Sequence, residues 1–238
     1  MSKDKYAQGV DEASRLQTTF YDKPTKIEDF FFTNDDERLL VEDIVHGREP
    51  FPYAAKNGIL LWGSFGTGKT TLARALPVLI ERHKHKFEGD EVFHCEFIKC
   101  DGTVRGDVLM NRIDKILDVY PFYNPSGLHY LIFDEVDNLT PQTQRTLKSV
   151  MNLQRVIFVL TTNFSHRVDG GVQDRCHTVE MNGASETAFR SFALRVASDY
   201  GVVLNDEAVG KLIAKSDGSM RGFISGITRM ARLAQRAA

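Results

Sequence analysis

The stretch from Ile59 to Thr71, ILLWGSFGTGKTT, limits what this chain can fold into more than any other. A short apolar run leads into Gly63-x-x-Gly66-x-Gly68-Lys69-Thr70, and Leu72-Ala73-Arg74-Ala75-Leu76 follows with helical spacing. A buried strand that enters a glycine loop and then opens a helix is the context in which this pattern binds phosphate. Glycines are required because backbone N–H groups must close around phosphate oxygens, where a Cβ would block the approach. Gly63, Ser64, Phe65, Gly66, Thr67, Gly68, Lys69, Thr70 and Thr71 are therefore the expected phosphate cradle. Lys69 supplies a point charge to the β- and γ-phosphates, Thr70 a hydroxyl for Mg²⁺, and the helix N-terminus a favourable dipole. The expected ligand is a nucleoside triphosphate.

The rest of the chain builds a sheet around that loop. Apolar runs at Val92–Lys99, His129–Phe133, Val156–Leu160 and His177–Met181 read as further strands, and helical patterns alternate with them. Unbroken apolar strands are expected in a parallel sheet covered on both faces, so the class is α/β with five parallel strands between helices. Asn34-Asp35-Asp36-Glu37 marks a helix start, and that helix should end near His46-Gly47. The helix from Lys69 should run to about His83 across Pro77, with His83-Lys84-His85-Lys86 as a solvated basic loop. Phe30, Phe31 and Phe32 suit either core packing or a place around a nucleotide base. Beyond Gly183, three helical patterns follow with no strand between them. The chain thus divides into a polar arm (1–18), an αβα unit (19–182) and a small helical domain (183–238).

At 238 residues there is length for a sizeable core, and 42% hydrophobic with 26% charged residues is ordinary for a globular protein. The formal net charge of −2 excludes a globally basic nucleic-acid binder and leaves room for a local basic patch. Cys95, Cys100 and Cys176 form neither an even framework nor a C-x-x-C pair, which fits a reducing compartment. With no apolar run of membrane-spanning length and a polar start, the expectation is a cytoplasmic protein with no membrane partner.

Several side chains stand where such a fold would gather them. Asp134 ends the third strand and can hold Mg²⁺, while Glu135 beside it can polarise an attacking water. Asn163, after the next strand, can orient that water. Arg175 and Arg221 are candidates to stabilise the negative charge that phosphoryl transfer develops.

In their order and spacing these features resemble the AAA+ ATPases, and within them the clamp-loader small subunits, over about residues 20 to 237. Tyr21 with Lys23-Pro24 looks like the segment near the adenine. Asp134-Glu135-Val136-Asp137 is similar to the Asp-Glu-Ala-Asp box, Asn163 to sensor 1, Asp174-Arg175-Cys176 to the Ser-Arg-Cys motif with its arginine finger, and Arg221 to sensor 2. Asp101-x-x-x-Arg105-Gly106 resembles the loop and helix beside DNA, which makes Arg105 and Arg112 the candidate phosphate contacts. The departures are Asp174 for serine, Ser219 for aspartate, and Asp22 and Lys23 for tyrosine and arginine.

The resemblance implies a P-loop fold with a helical lid and hydrolysis of ATP with Mg²⁺. It also implies self-assembly into a ring or helix, with Arg175 acting on a neighbour's ATP. The partners it implies are DNA and a protein cargo such as a sliding clamp, helicase or transposase. The chain ends just after the lid helices, where the clamp-loader pattern expects a C-terminal collar; helicase loaders and transposition regulators lack one. The alternatives are a protein-remodelling chaperone, disfavoured by the absence of an aromatic residue in Asp101–Gly106, and a nucleotide-binding scaffold with little hydrolysis.

Overall fold

The strand order β2-β3-β4-β1-β5 brings the ends of non-consecutive strands together. A computed structural model describes residues 26–53, 55–182, 186–199, 203 and 205–237. The arm at 1–18 and the Tyr21, Lys23-Pro24 segment lie outside the described residues. The strands are β1 (Gly58–Trp62), β2 (Cys95–Lys99), β3 (His129–Asp134), β4 (Val156–Thr162) and β5 (Cys176–Glu180). All of their pairings are parallel.

Alternation along these strands separates two cores. Ile59, Leu61, Tyr130, Ile132, Ile157 and Val159 face one side, against α1 (Asp35–His46) and α2 (Lys69–His85). Leu60, Leu131, Phe133, Phe158 and Leu160 face the other, against α3 (Gly106–Leu117), α4 (Pro141–Val150) and the short α5 (Gly170–Asp174). Fully burying one such aliphatic side chain contributes about 1.5–3 kcal/mol, so both faces of the sheet are held. This is the expected α/β sandwich with a parallel five-stranded sheet.

Local chemistry sets most of the helix ends. The Asn34 side chain accepts from the Glu37 N–H at 3.0 Å, three acidic residues occupy the first turn of α1, and Gly47 closes it at φ 71°. Helix α2 passes through Pro77 and continues to His85. His83 to His85 are therefore its last turn rather than a loop. The His83 ring lies 4.6 Å from that of His46, and Lys84 Nζ donates to the Phe51 carbonyl at 2.7 Å. Strand β2 starts at Cys95 instead of Val92, and Phe93 is 71% exposed. Helix α5 was not legible; the Asp169 carboxylate caps it by accepting from the Gly171 N–H at 2.8 Å.

Helices α6 (Glu186–Asp199), α7 (Asp206–Ser216) and α8 (Met220–Ala237) share a third core built on Phe189, Phe192, Val209, Phe223 and Ile227. The three consecutive phenylalanines are core residues that divide between units. Phe30 and Phe32 join the sheet-side core, whereas Phe31 stacks on Phe189 at 5.2 Å and meets Phe192 edge-on at 5.0 Å. Cys95, Cys100 and Cys176 are free thiols that burial pushes up to about 12. Among the described residues, no helix is long and apolar enough to cross a membrane.

Candidate nucleotide site

Parallel register aligns the carboxyl ends of the central strands. Trp62 pairs with Thr162, and Phe133 pairs with Leu160, so the loop after β1, the Asp134-Glu135 pair and Asn163 emerge at one edge of the sheet. Ligands of open α/β sheets bind at this edge.

The loop after β1 is shaped by close approaches. A Cβ on Gly63 would lie 2.5 Å from the Met181 carbonyl oxygen, and one on Gly66 would lie 2.4 Å from Ser219 Oγ. Gly66 and Gly68 sit at φ 77° and 98°, conformations that side chains disfavour. Asn182, just past β5, holds the loop by accepting from the Ser64 N–H at 2.7 Å and from Ser64 Oγ at 3.1 Å. Lys69, Thr70 and Thr71 form the first turn of α2, so its free N–H groups face the loop. Phe65 is exposed and meets Phe164 edge-on at 6.0 Å.

Lys69 is buried, and its ammonium donates to the Gly63 carbonyl at 2.9 Å and to the Ser64 carbonyl. Burial pulls its pKa down to about 8. Asp134, Asp137 and Glu135 push the other way, and Arg221 adds to the depression.

Thr70 Oγ1 donates to Asp134 Oδ1 at 2.7 Å, which brings together the two residues expected to hold the metal. Two hard oxygens at that separation suit adjacent corners of a Mg²⁺ octahedron, whose edge is about 3 Å. The donor set therefore fits Mg²⁺. Glu135 follows in a left-handed conformation, φ 59° and ψ 51°, and opens the 3-10 turn Val136–Asn138. Asn138 Nδ2 lies 3.3 Å from Glu135 Oε2, and the Glu135 N–H donates to Thr161 Oγ1 at 2.9 Å. Asn163 is half-buried directly after β4, and the Thr162 hydroxyl, bonded to Asp137 Oδ1 and the Phe164 N–H, shapes the turn that carries it.

Arg221 is an exposed residue in the first turn of α8. Its backbone N–H donates to the Gly66 carbonyl at 3.3 Å, so the start of α8 rests on the phosphate loop. Arg175 is not brought to this edge. It precedes β5, beside Gly58 at the start of β1, and its own carbonyl accepts from the Gly58 N–H at 3.0 Å. The guanidinium donates to the Gly171 carbonyl at 2.8 Å and to Asn152 Oδ1 at 3.0 Å. Arg105 immediately precedes α3 without a side-chain capping bond and pairs with Asp107 at 3.3 Å, and Arg112 pairs with Glu96 of β2. Arg105 has extended backbone before the helix, whereas Arg112 lies within it.

Sequence reasoning missed Asn138, Thr161, Thr162 and Asn182. Two adjacent hydroxyl residues ending an otherwise apolar strand were the available signal for Thr161 and Thr162.

A five-stranded parallel sheet, a glycine loop opening a helix, and acidic residues at the end of β3, one strand removed from β1, define a P-loop nucleotide-binding protein. Residues 59–183 match the family described as ATPase family associated with various cellular activities (AAA), and the chain belongs to that family. It is 28% identical over 171 residues to a Replication factor C small subunit of Thermoplasma volcanium, covering 70% of this chain and 51% of that one. To the Replication factor C small subunit of Methanocella arvoryzae it is 25% identical over 217 residues, covering 90% and 62%. The chain thus spans about half to three-fifths of the length of these relatives. In fold it is similar to the RuvB Holliday junction branch migration motor of Thermotoga maritima, with a TM-score of 0.70 at 17% identity, over 92% of this chain and 67% of that one.

Proposed function

We propose that this chain hydrolyses ATP at sites shared between neighbouring copies and uses the cycle to assemble or load a protein partner on DNA. The placement of Arg175 carries this reading. β1 separates it from the phosphate loop by five residues, roughly 16 Å of strand, farther than an arginine side chain extends. An arginine on the far edge cannot serve its own chain's site, but a second copy presenting that edge can supply it.

In this reading the loop N–H groups and Lys69 hold the β- and γ-phosphates. Glu135, steadied by Asn138, polarises the attacking water, and Asn163 orients it. Arg221 and the neighbouring copy's Arg175 stabilise charge on the transferring group, a contribution worth about 10³–10⁵ in rate for arginine fingers generally. Thr70 and Asp134 would hold Mg²⁺, which when bound neutralises charge on the phosphates. The DNA role is supported by the similarity to Replication factor C small subunits. Arg105, just before α3, and Arg112 within it offer phosphate contacts. A sliding clamp, helicase or transposase is the class of cargo.

Mixing two inactive variants tests the shared site. Arg175→Ala keeps an intact nucleotide site and Glu135→Gln keeps the arginine, so a mixed interface contains one complete site. ATPase activity of the mixture above that of either variant alone is the expected result, together with native activity that rises with protein concentration. No recovery despite co-assembly shown by light scattering, with concentration-independent native activity, would place Arg175 outside the reaction.

A further inference from the structure

The carboxyl end of β4 carries a hydroxyl that touches both acidic residues of the site. Thr161 is 2% exposed, and it lies opposite the junction of Asp134 and Glu135 because Phe133 pairs with Leu160 one position earlier. Its Oγ1 donates to Asp134 Oδ1 at 2.7 Å and accepts from the Glu135 backbone N–H at 2.9 Å. A hydroxyl has one proton and two lone pairs, so both bonds form at once. Beyond Asp134 the backbone leaves the sheet. The Glu135 N–H therefore pairs with this side chain instead of a strand carbonyl, and Glu135 adopts the left-handed conformation at φ 59° that starts the turn to Asn138. Such conformations persist where the surroundings over-determine them.

We propose that Thr161 is a positioning residue for ATP hydrolysis, whose hydroxyl locks the left-handed backbone of Glu135 and the orientation of the Asp134 carboxylate as one unit. The proposal rests on the reading of Glu135 as the group that polarises water. A valine at 161 keeps the shape of the side chain but removes the acceptor for the Glu135 N–H and one of the two hydroxyl donors to Asp134 Oδ1. Serine keeps both bonds.

The test compares Thr161→Val and Thr161→Ser in the full chain, alone and in the Glu135→Gln background. Thr161→Val should melt cooperatively, bind a fluorescent ATP analogue within about threefold of native, and lose about tenfold or more in kcat with KM little changed. Thr161→Ser should stay within about threefold of native in kcat. Hydrogen exchange at the Glu135 amide should accelerate about tenfold or more in the valine variant and stay protected in the serine variant, a readout independent of turnover. In the Glu135→Gln background Thr161→Val should add a smaller loss than it does alone, because the part that acts through Glu135 is already gone. Native exchange and native kcat in Thr161→Val, equal impairment of the serine and valine variants, or a loss that multiplies with that of Glu135→Gln would each overturn the proposal. If Glu135→Gln itself turns over at the native rate, the reading of Glu135 falls, and amide exchange still decides whether Thr161 holds that backbone. Should Thr161→Val not fold, Thr161→Ala is compared with Thr161→Ser on the same measurements.

Discussion

Gly66→Ala tests how tightly the phosphate loop is coupled to the C-terminal helices. Gly66 sits at φ 77°, and its carbonyl accepts from the Arg221 N–H. Placing alanine in the left-handed region costs about 1–2 kcal/mol. The new Cβ would also stand 2.4 Å from Ser219 Oγ, which must move away. That oxygen accepts from the Gly222 N–H at 3.2 Å and caps α8, and losing such a cap costs about 0.5–2 kcal/mol. The sum is about 1.5–4 kcal/mol, a fall in melting temperature of about 3–16 °C for a chain of this length. Ser219→Gly removes the obstructing oxygen at a cost of only a few tenths of a kcal/mol on its own. Thermal unfolding followed by circular dichroism, over both single variants and the double, should then show a favourable coupling of about 1 kcal/mol. A cycle additive to within about 0.3–0.5 kcal/mol would refute the argument that the loop and the start of α8 press on each other at this point.

Lys69→Ala should abolish binding of a fluorescent ATP analogue, because the loop loses its cationic contact to the β- and γ-phosphates, whereas Glu135→Gln should bind it and hydrolyse slowly. Tight binding by the first or native turnover by the second would contradict the roles assigned to them. Gln144 is buried, its Nε2 donates to the Leu139 and Arg167 carbonyls, and its Oε1 accepts from the Asp169 N–H at 2.6 Å. Gln144→Leu should therefore cost about 2–4 kcal/mol in denaturant titration through unpaired buried backbone groups, and a loss under 1 kcal/mol would show that the loop repairs itself. Arg105→Gln with Arg112→Gln should reduce the slope of log K for DNA against log salt by about 1–2 while basal ATPase stays native. An unchanged slope would remove these two arginines from the DNA contact.

The phosphate loop was legible because its chemistry is local. Glycine spacing, Lys69 and the start of α2 lie within a few residues of one another, and no distant partner is needed to define them. The central strands were equally plain, since β1, β3 and β4 are covered on both faces and are apolar along most of their length. The limits of β2 were not. Val92 and Phe93 have strand propensity, but β2 pairs only with β3, whose first residue is His129, so the ladder has no partner for Phe93. Phe30, Phe31 and Phe32 looked equivalent in sequence, and what separates them is that Phe31 meets Phe189 and Phe192, more than 150 residues away along the chain.

Arg175 shows the limit most clearly. In sequence it stands 12 residues after Asn163, and a linear reading would place both in one site. The chain between them, through α5, descends from the carboxyl edge of β4 to the amino edge of β5, because parallel neighbours in a sheet must all begin at the same end. Register then makes the separation obligatory: as long as Gly58 pairs with Cys176 and Trp62 with Glu180, no side-chain rotation brings the guanidinium of Arg175 to Lys69 of the same chain. Resemblance assigned a role to this arginine, but only topology explains why one copy of the chain cannot fulfil it. The guanidinium, held 2.8 Å from the Gly171 carbonyl at the opposite edge, therefore has a part in hydrolysis only under the proposal that a second copy presents its nucleotide edge there.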